Sequence, residues 1–380
     1  MSNWSAQQLT AIDRVNDWYK ADREQVFYLA GYAGTGKTTL ARHFADNLGR
    51  SRVYYGAFTG KAAYVLRQKG CANATTLHKL MYIPKEKGRQ RLKLLQELVD
   101  KYAPDSKTPD AKKHKEYTIK LKAEEQNMMR PMFTINTESD LYEADLLIVD
   151  EVSMIDAYMG EDLLSFGCRI LVLGDPAQLP PVKGSGFFTR NEPDFMLTDI
   201  HRQAKDSPII ELATIVRNGK MPDYGTYGNC VVRTDIDKDI VLAADQVIVG
   251  RNKTRNNFNK RIRSLLGRES QIPVDGDRIV CLRNNHDAGF LNGALYDVTN
   301  VVYDPTDESV VNLAMTPQED SSTKMVSEAH MHYFLGATPP YWDIKERDCF
   351  DYGYAMTCHK SQGSQWDHVL VYNEAQAFGQ

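Results

Sequence analysis

Short apolar runs separated by stretches with helical spacing organise the first part of the chain. Four runs have the length of strands, namely Val26–Ala30, Val53–Ala57, Asp145–Val149 and Arg169–Leu173. Helical patterns follow the first two runs, and each pattern ends at a glycine, which suits a helix C-terminus. Because buried strands that alternate with helices form parallel sheets, this pattern predicts an α/β fold.

The pattern changes twice beyond residue 200. A strand, a helix and a strand are predicted at Gln246–Val249, Thr254–Leu266 and Arg278–Leu282. Apolar and polar positions then alternate through residues 294–335, which indicates antiparallel strands. The segments expected to form a small antiparallel barrel are Leu295–Val302, Ser309–Leu313 and Ala329–Phe334. The α/β pattern resumes at Tyr354.

A charged segment interrupts the first α/β region. Lys, Arg, Glu and Gln dominate residues 84–127, with Pro104 and Pro109 in the middle, so we expect a helix, a loop and a second helix. A solvated excursion and a contact with nucleic acid are both open interpretations. The predicted boundaries are 1–83 with 138–198 for the first α/β domain, 84–137 for the charged insertion, 199–290 with 351–380 for the second α/β domain, and 291–350 for the barrel.

Composition excludes several classes of protein. The 380 residues are 42% hydrophobic and carry a formal net charge of −4, which excludes a disordered chain and a uniformly basic nucleic-acid binder. A local basic groove remains compatible with that charge. We see no apolar run long enough for a membrane span and no signal peptide at the N-terminus. The six cysteines form no CxxC pair, so we expect no structural zinc and a cytoplasmic protein.

A phosphate-binding loop is the clearest chemical signal. The sequence GYAGTGKT, from Gly31 to Thr38, matches G-x-x-x-x-G-K-[ST] between an apolar strand and a helix. Backbone N–H groups of such a loop surround phosphate oxygens, Lys37 reaches the β- and γ-phosphates, and Thr38 binds Mg²⁺. The residues expected to bind nucleotide here are Gly31, Ala33, Gly34, Thr35, Gly36, Lys37, Thr38 and Thr39.

Two further motifs follow predicted strands. In DEVSM, Asp150 is expected to bind Mg²⁺ with Thr38, and Glu151 is expected to polarise the attacking water. The alternative is a pair of acidic residues that cap the next helix. In GDPAQLPPV, the Gln178 amide can hydrogen-bond a γ-phosphate or a water, or Gln178 can be an ordinary loop residue.

The order of the motifs resembles that of superfamily 1 DNA helicases, and most of all the RecD/Dda type. The motifs are GYAGTGKT, AFTGKAA, TTLHKL, DEVSM, GDPAQLPPV, HRQAKDSPII and AMTCHKSQGSQWDHVLV. The resemblance spans nearly the whole chain. It implies two RecA-like domains that face each other across ATP, with single-stranded DNA across both and movement from 5′ to 3′. The charged segment and the barrel would be accessory insertions.

The resemblance also implies roles for individual residues at the nucleotide. Lys37, Glu151 and Gln178 would act in catalysis, and Arg202 would reach the γ-phosphate from the second domain. Gln8 stands where the family reads adenine, although Ser5 and Gln8 also form an S-x-x-Q capping box. Gln365 replaces a glutamate that holds the ribose in the family.

The resemblance also points to a set of residues that would bind DNA, all on these motifs except Asn252, which lies on the loop after the Gln246–Val249 strand. Hydroxyls, amides and lysines suit phosphates, and aromatic rings suit bases. The set comprises Phe58, Thr59, Gly60, Lys61, Thr76, His78, Asn252, Thr357, His359, Lys360, Ser361 and Gln362. Phe58 replaces a proline of the family and would stack on a base or be buried. Taken alone, His78 and His359 would be ordinary loop histidines.

One departure from the family pattern lies at the end of the chain. The chain stops at Gln380, before the helix in which the family carries a T-R-A-like motif with a second arginine on the γ-phosphate. We favour a shortened chain over loss of the motif, and we expect reduced turnover without that arginine.

The charged insertion offers a candidate for strand separation. Phe133, in the segment Arg130–Thr134, is a candidate wedge, with core packing as the alternative.

Three functional hypotheses follow. The first is an ATP- and Mg²⁺-dependent helicase that moves 5′ to 3′ on single-stranded and tailed duplex DNA. It would act as a monomer with replication, repair or recombination proteins, in the cytoplasm of a bacterial or phage-infected cell. The second is a nucleotide-gated DNA-binding subunit with little turnover. The third, a P-loop kinase or transferase, gives GDPAQLPPV and HKSQG no role.

Overall fold

The structure is a computed structural model in which part of the chain is described. The described residues are 4–47, 52–84, 89–129, 133–181, 184–199, 207–285, 288–303, 307, 309–337 and 347–378. The side chains at 47, 84, 89–93, 123–129 and 133 are outside the description. The predicted site residue Arg202 therefore lies outside the described residues, and Phe133, the candidate wedge, is described only as backbone.

A parallel six-stranded sheet forms the centre of residues 4–199, which we call the N-terminal half. The strands that build it are β1 (Val26–Gly31), β2 (Val53–Ala57), β3 (Thr75–Thr76), β6 (Leu146–Asp150), β7 (Ile170–Gly174) and β8 (Phe195–Leu197). They lie in the order β3-β2-β6-β7-β1-β8, and every described pairing is parallel. The predicted α/β fold is therefore confirmed.

Helices cover both faces of this sheet. The helices of the N-terminal half, apart from the insertion, are α1 (Ala6–Ala21), α2 (Lys37–Asn47), α3 (Gly60–Gln68), α4 (Leu77–Met81) and α7 (Ala157–Leu164). Strand side chains alternate between two cores. Leu29 and Ile148 pack under α1, α2 and α3, whereas Tyr28 and Val149 pack on the opposite face. Burial on both faces explains why these strands are apolar throughout.

The charged insertion is a helical hairpin on a short two-stranded ribbon. Its elements are β4 (Tyr82–Pro84), α5 (Arg89–Lys101), α6 (Ala111–Met129) and β5 (Phe133–Ile135), and β4 pairs with β5 antiparallel. The two predicted helices are present. They hold a small core of Leu95, Leu121, Val99 and Tyr117.

Residues 207–378, which we call the C-terminal half, contain a second parallel sheet. The elements around it are α8 (Pro208–Arg217), β9 (Gly225–Tyr227), β10 (Cys230–Val232), α9 (Lys238–Ala243), β11 (Gln246–Val249), α10 (Asn252–Leu265), β17 (Ala355–Thr357), α11 (Cys358–Ser361) and β18 (Val369–Val371). The strand order is β17-β11-β18, all parallel. Residues near 250 and 360 therefore meet at one edge of this sheet.

An antiparallel sheet is inserted between β11 and β17. Its strands are β12 (Arg278–Cys281), β13 (Leu295–Tyr303), β14 (Val310–Pro317), β15 (Met325–His330) and β16 (Phe350–Tyr352), in the order β15-β14-β13-β12-β16. His330 ends the edge strand β15, and Asp348 lies just before the opposite edge strand β16. The His330 N–H donates to Asp348 O at 2.9 Å, so the two edges of the curved sheet approach each other there.

Two strand predictions in this region are corrected. The strand β12, expected in the parallel sheet, pairs antiparallel with β13 and β16. The strand expected at Ala329–Phe334 is β15, which begins at Met325 and ends at His330. Residues 331–336 form turns instead, because Phe334 N and Leu335 N both donate to Met331 O. Apolar spacing alone did not separate these turns from a strand.

A buried ion pair ties α10 to the start of the antiparallel sheet. Arg263 donates from Nε and Nη2 to the two oxygens of Asp277 at 3.1 and 3.0 Å. Tyr354 and the Val274 N–H donate to the same carboxylate. Removal of either partner alone would leave a buried charge without its counter-charge, which would strongly destabilise the fold.

Among the helices described, none is long and apolar enough to cross a membrane.

Candidate active site

The loop between β1 and α2 has the conformation of a phosphate cradle. Gly34 and Gly36 have φ of 79° and 85°, a region that side chains with a Cβ rarely adopt. Gly31 is needed for a different reason, because a Cβ there would lie 2.7 Å from the Thr35 hydroxyl. The loop leads directly into α2, whose first N–H groups and dipole favour an anion.

Lys37 begins α2 and folds over its own loop. Its Nζ donates to the carbonyl oxygens of Gly31 at 2.6 Å and Tyr32 at 3.2 Å. Burial lowers the pKa of Lys37, and the carboxylates of Asp175 and Asp150 oppose that shift. The ammonium is thus held at the loop by neutral carbonyls, which are weaker partners than phosphate oxygens.

Asp150 and Thr38 meet as the sequence predicts. Thr38 Oγ1 donates to Asp150 Oδ2 at 3.2 Å, and the Glu151 N–H donates to Oδ1 at 2.9 Å. Burial raises the pKa of Asp150, and these hydrogen bonds and Lys37 oppose the shift. A buried carboxylate beside a hydroxyl provides the hard oxygen donors that Mg²⁺ prefers.

The donor set suits a cation that is shared with phosphates. Within the described ranges, no group of three or more His, Cys, Asp or Glu side chains could hold a metal by itself. Mg²⁺ at a nucleotide needs only one or two protein ligands, because phosphates and waters complete its shell. The residues present therefore fit a nucleotide-bound Mg²⁺.

Glu151 adopts a strained backbone at the end of β6. Its φ of 56° and ψ of 46° place it in the left-handed region, which is uncommon for a residue with a side chain. Burial and the Asp150 charge raise the pKa of Glu151, and hydrogen bonding with Gln178 opposes them. The Glu151 side chain makes no capping hydrogen bond to the 3₁₀ helix Val152–Met154, so the capping alternative is wrong for this residue.

Hydrogen bonds to neighbouring residues hold Gln178 in place. The Ser153 hydroxyl donates to Gln178 Oε1 at 3.1 Å, and the Gln178 N–H donates to Asp175 O at 3.0 Å. Asp175 is buried and accepts from the Ala177 N–H at 2.9 Å, a local contact within the same loop. These contacts hold the Gln178 amide beside Glu151.

Gln8 has the local role that the capping-box spacing predicts. Ser5 Oγ accepts from the Gln8 N–H at 3.2 Å, and Gln8 Oε1 accepts from the Ser5 N–H at 3.0 Å. Gln8 Nε2 also donates to Thr35 O at 3.1 Å, so α1 is fastened to the phosphate loop. Adenine recognition by Gln8 stays a prediction. Gln365, the expected ribose ligand, has an exposed side chain.

Arg217 is a contact at the phosphate loop that the sequence did not signal. It ends α8 in the C-terminal half, and its guanidinium lies 3.8 Å from the centroid of the Tyr32 ring. Tyr32 belongs to the phosphate loop, so this cation–π contact joins the two halves beside the nucleotide position. Nothing in the local pattern around Arg217 distinguished it from an ordinary last-turn arginine.

The DNA-binding candidates of the N-terminal half lie at helix starts. Thr59 caps α3 by accepting from the Ala62 N–H at 3.1 Å, and Thr76 caps α4 by accepting from Lys79 N at 3.4 Å. Phe58 is partly buried, with its ring edge toward His78 at a centroid distance of 6.1 Å. Burial lowers the pKa of His78. Phe58 therefore packs against the core in this state.

The candidates of the C-terminal half lie against the Gln178 loop. His359 Nε2 lies 3.3 Å from Pro180 O, and Gln362 Nε2 donates to Leu179 O at 3.5 Å. Ser361 Oγ donates to Cys358 O within α11. The structure thus places His359 and Gln362, which were predicted to bind DNA, next to the loop that carries Gln178, the candidate γ-phosphate ligand.

The two predicted DNA-binding groups also face each other. A Cβ on Gly363 would lie 3.4 Å from that of Ala62, which follows Lys61 at the start of α3. Thr357, at the end of β17, precedes α11 directly. Lys61 is buried and paired with Glu319 of the antiparallel sheet. Asn252 is exposed at the first position of α10.

Lys360 is a half-buried cation in the HKSQG motif. Burial lowers its pKa to about 8, and the Arg255 charge acts in the same direction. The carboxylate of Asp351 opposes the shift and pairs with Arg255 at 2.9 Å. Lys360 is therefore mostly charged at neutral pH and loses its proton as pH rises through about 8.

Glu374 is a structural residue that the sequence did not single out. Its carboxylate accepts from the N–H groups of Gly250 and Arg251 at 2.8 and 3.0 Å, and from Thr254 Oγ1 at 2.6 Å. Burial opposes its charge, but these hydrogen bonds outweigh burial and lower the pKa of Glu374. A residue more than a hundred positions away thus caps the start of α10.

Two family models match the chain. A model described as an AAA domain matches residues 3–229, and a model described as a UvrD-like helicase C-terminal domain matches residues 352–379. The first covers more than half of the chain and contains the phosphate loop, DEVSM and the Gln178 loop.

Curated relatives and solved structures resemble the chain at low identity. An ATP-dependent RecD2 DNA helicase of Deinococcus radiodurans is 28% identical over 262 residues, which is 61% of this chain and 33% of that protein. An uncharacterized protein of Acanthamoeba polyphaga mimivirus is 27% identical over 184 residues, 46% of this chain and 33% of that protein. The chain therefore spans about a third of the length of the curated relatives it matches.

The likeness to solved structures concerns the fold. A Pif1 helicase from Bacteroides, in complex with ADP-AlF3 and ssDNA, has a TM-score of 0.54 and 18% identity. The match covers 98% of this chain and 87% of that one. A structure of two coordinating Pif1 helicases at forked dsDNA also has a TM-score of 0.54, with 19% identity over 98% of this chain and 86% of the other. At this identity the comparison shows the fold alone, and that fold is the predicted pair of RecA-like domains.

Proposed function

The chain belongs to the AAA-domain family, and from that premise we propose that it is a superfamily 1 DNA helicase that couples ATP hydrolysis to 5′-to-3′ movement on single-stranded DNA. The family model includes the phosphate loop and both carboxylates of DEVSM. The names of the RecD2 and Pif1 relatives support the choice of DNA helicase among P-loop ATPases.

The observation that carries the proposal is the loop after β7. Gln178 in this loop contacts the catalytic carboxylate candidate Glu151, and the next two carbonyls contact His359 and Gln362 of HKSQG. A change at the γ-phosphate can therefore reach the opposite half through three adjacent residues. A small-molecule kinase would have no use for this connection.

The chemistry at the nucleotide follows from the described side chains. Lys37 would exchange its contacts with the Gly31 and Tyr32 carbonyls for phosphate oxygens, which are stronger partners for an ammonium. Asp150 and Thr38 would hold Mg²⁺, which neutralises charge on the transferred phosphoryl group when bound. Glu151 would accept a proton from the attacking water. Its strained backbone and raised pKa place a basic carboxylate at that point.

We propose that DNA contacts the first residues of α3 and α4 in the N-terminal half and of α11 in the C-terminal half. Backbone N–H groups at the beginnings of α3, α4 and α11 favour phosphates, and Thr59, Thr76 and Thr357 lie at those beginnings. Arg202 is proposed to reach the γ-phosphate, on the support of the HRQ motif alone. Closure on ATP and opening after hydrolysis would move the starts of α3 and α4 relative to the start of α11.

Unwinding assays test the proposal. We expect strand separation of a 5′-tailed duplex and not of a 3′-tailed duplex, and only with ATP and Mg²⁺. Lys37→Ala should reduce ATP hydrolysis and unwinding by roughly 10²–10³-fold, because a cation on the phosphates is lost. Lys20→Ala, an exposed lysine of α1, is the matched control and should change neither rate. Unwinding of the 3′-tailed duplex alone would contradict the polarity, and no DNA-dependent ATPase would contradict the function.

A further inference from the structure

Lys61, a proposed phosphate ligand, has a protein carboxylate in the place of a phosphate. Its Nζ lies 3.1 Å from Glu319 Oε1 and 5.3 Å from the centroid of the Trp366 ring. The Lys61 side chain is only 9% exposed, whereas that of Glu319 is 40% exposed. Glu319 therefore closes the solvent side of the Lys61 ammonium.

The turn that carries Glu319 is internally well connected. Glu319 follows β14, and Gln318 Nε2 donates to Asp297 Oδ1 at 2.9 Å while Gln318 N donates to Leu295 O at 3.0 Å. The next residue, Asp320, accepts from the N–H and hydroxyl of Ser322. The turn is thus held to its own sheet, and from it Glu319 extends to the opposite half.

The neighbourhood of Lys61 is an inter-half contact. A Cβ on Gly60 would lie 2.9 Å from Asn284 Oδ1, so the start of α3 is seated against the C-terminal half. Trp366, beside Lys61, packs on Val280 and Leu295. The place where α3 would meet a DNA phosphate is therefore covered by the antiparallel sheet and by Trp366.

The negative charge of Glu319 determines how its contact with Lys61 affects DNA binding. A carboxylate and a phosphate oxygen are both anionic acceptors, so they compete for the same ammonium. An ion pair with one partner partly in water is weak, so several phosphate contacts made together can displace it.

We infer that Glu319 is a competitor for DNA at Lys61, and that it sets the affinity for single-stranded DNA by occupying this ammonium when DNA is absent. The inference rests on the proposed helicase function. Binding of a strand separates the turn after β14 from α3 and frees Lys61 for a phosphate. Release of the strand restores the Lys61–Glu319 pair.

Equilibrium titrations of a fluorescently labelled oligothymidine with the full chain test this inference. We expect Glu319→Gln to bind about 2- to 5-fold tighter than the unmodified chain at low salt, the range that corresponds to a partly exposed ion pair. The gain should shrink as salt rises, since the interaction is electrostatic. Asp320→Asn is the matched control. It removes the neighbouring charge, whose partners lie within its own turn, and should leave the affinity unchanged.

A double variant separates competition at Lys61 from a general charge effect. We expect Lys61→Met to weaken binding and Glu319→Gln to add nothing in the Lys61→Met background. A gain that persists there, an equal gain in Asp320→Asn, or unchanged or weaker binding by Glu319→Gln would each overturn the inference. Thermal melting of each variant establishes that it is folded.

The same titration distinguishes failure of the inference from failure of the proposed function. If the unmodified chain binds oligothymidine and Glu319→Gln gives no gain, only the competition is wrong. If the unmodified chain does not bind at any salt concentration, the helicase proposal fails and the inference fails with it.

Discussion

Lys360 is half-buried, and its ammonium group loses part of its hydration. This loss lowers the pKa to about 8, and Asp351, whose charge opposes the shift, is already paired with Arg255. The motif HKSQG predicted a lysine at the DNA, but not its protonation. That depends on how far the tertiary structure buries the lysine, which the linear sequence does not show.

Lys360 should therefore make DNA binding sensitive to mildly alkaline pH. The protonated form binds phosphate, and it is lost as pH rises through about 8. We expect single-stranded DNA affinity to fall about tenfold between pH 7 and pH 9, the value of one charged hydrogen bond. Lys360→Arg should remove this dependence, since arginine stays charged. An identical pH profile for both proteins would refute the prediction.

At the scale of elements, α10 shows a cap that comes from the far end of the chain. The sequence pattern predicts this helix from Thr254, and the helix begins two residues earlier, at Asn252. Its N-cap residue, Arg251, has no capping side-chain acceptor, and Glu374 supplies the acceptor instead. A cap across more than a hundred residues arises from tertiary packing and leaves no local pattern.

Glu374→Gln should destabilise the C-terminal half. A neutral amide accepts more weakly from the Gly250 and Arg251 N–H groups, so we expect a loss of about 1–3 kcal/mol in the free energy of unfolding. Because the folded pKa of Glu374 is lowered, its contribution is present above the usual carboxyl pKa and is lost as pH falls through the folded value.

Chemical denaturation at two pH values measures this effect. The difference between the original protein and Glu374→Gln should be full at pH 7 and smaller near pH 3. Glu269→Gln, an exposed carboxylate in the same half, is the control and should change stability little. Equal losses in both variants would contradict the capping role.

At the scale of the whole molecule, the likeness to superfamily 1 helicases that the motif order indicated is confirmed. The AAA-domain model, the UvrD-like C-terminal model and the Pif1 folds agree on it. The halves meet through the Gln178 loop, through Lys61 with Glu319, and through Arg217 on Tyr32. Each contact joins a predicted nucleotide or DNA element to the other half.

Gln178→Ala should uncouple these halves while leaving nucleotide binding in place. The phosphate loop and Asp150 do not depend on the Gln178 amide, so ATP affinity should stay within about threefold. DNA-stimulated hydrolysis should fall about tenfold or more, because the link from Glu151 to His359 is cut. Parallel measurement of nucleotide binding and of ATPase with and without DNA separates the two effects, and retained DNA stimulation would disprove the coupling.

The sequence by itself determined the parallel strands, the phosphate loop, the Asp150–Thr38 pair and the Ser5–Gln8 capping box. These features depend on side chains that are close in the chain or fixed by a strand end, so local spacing defines them. The tertiary structure alone decided the antiparallel pairing of β12, the cap by Glu374 and the Lys61–Glu319 pair. Their partners come from distant segments, and the energy of such a contact depends on burial and orientation that only packing creates.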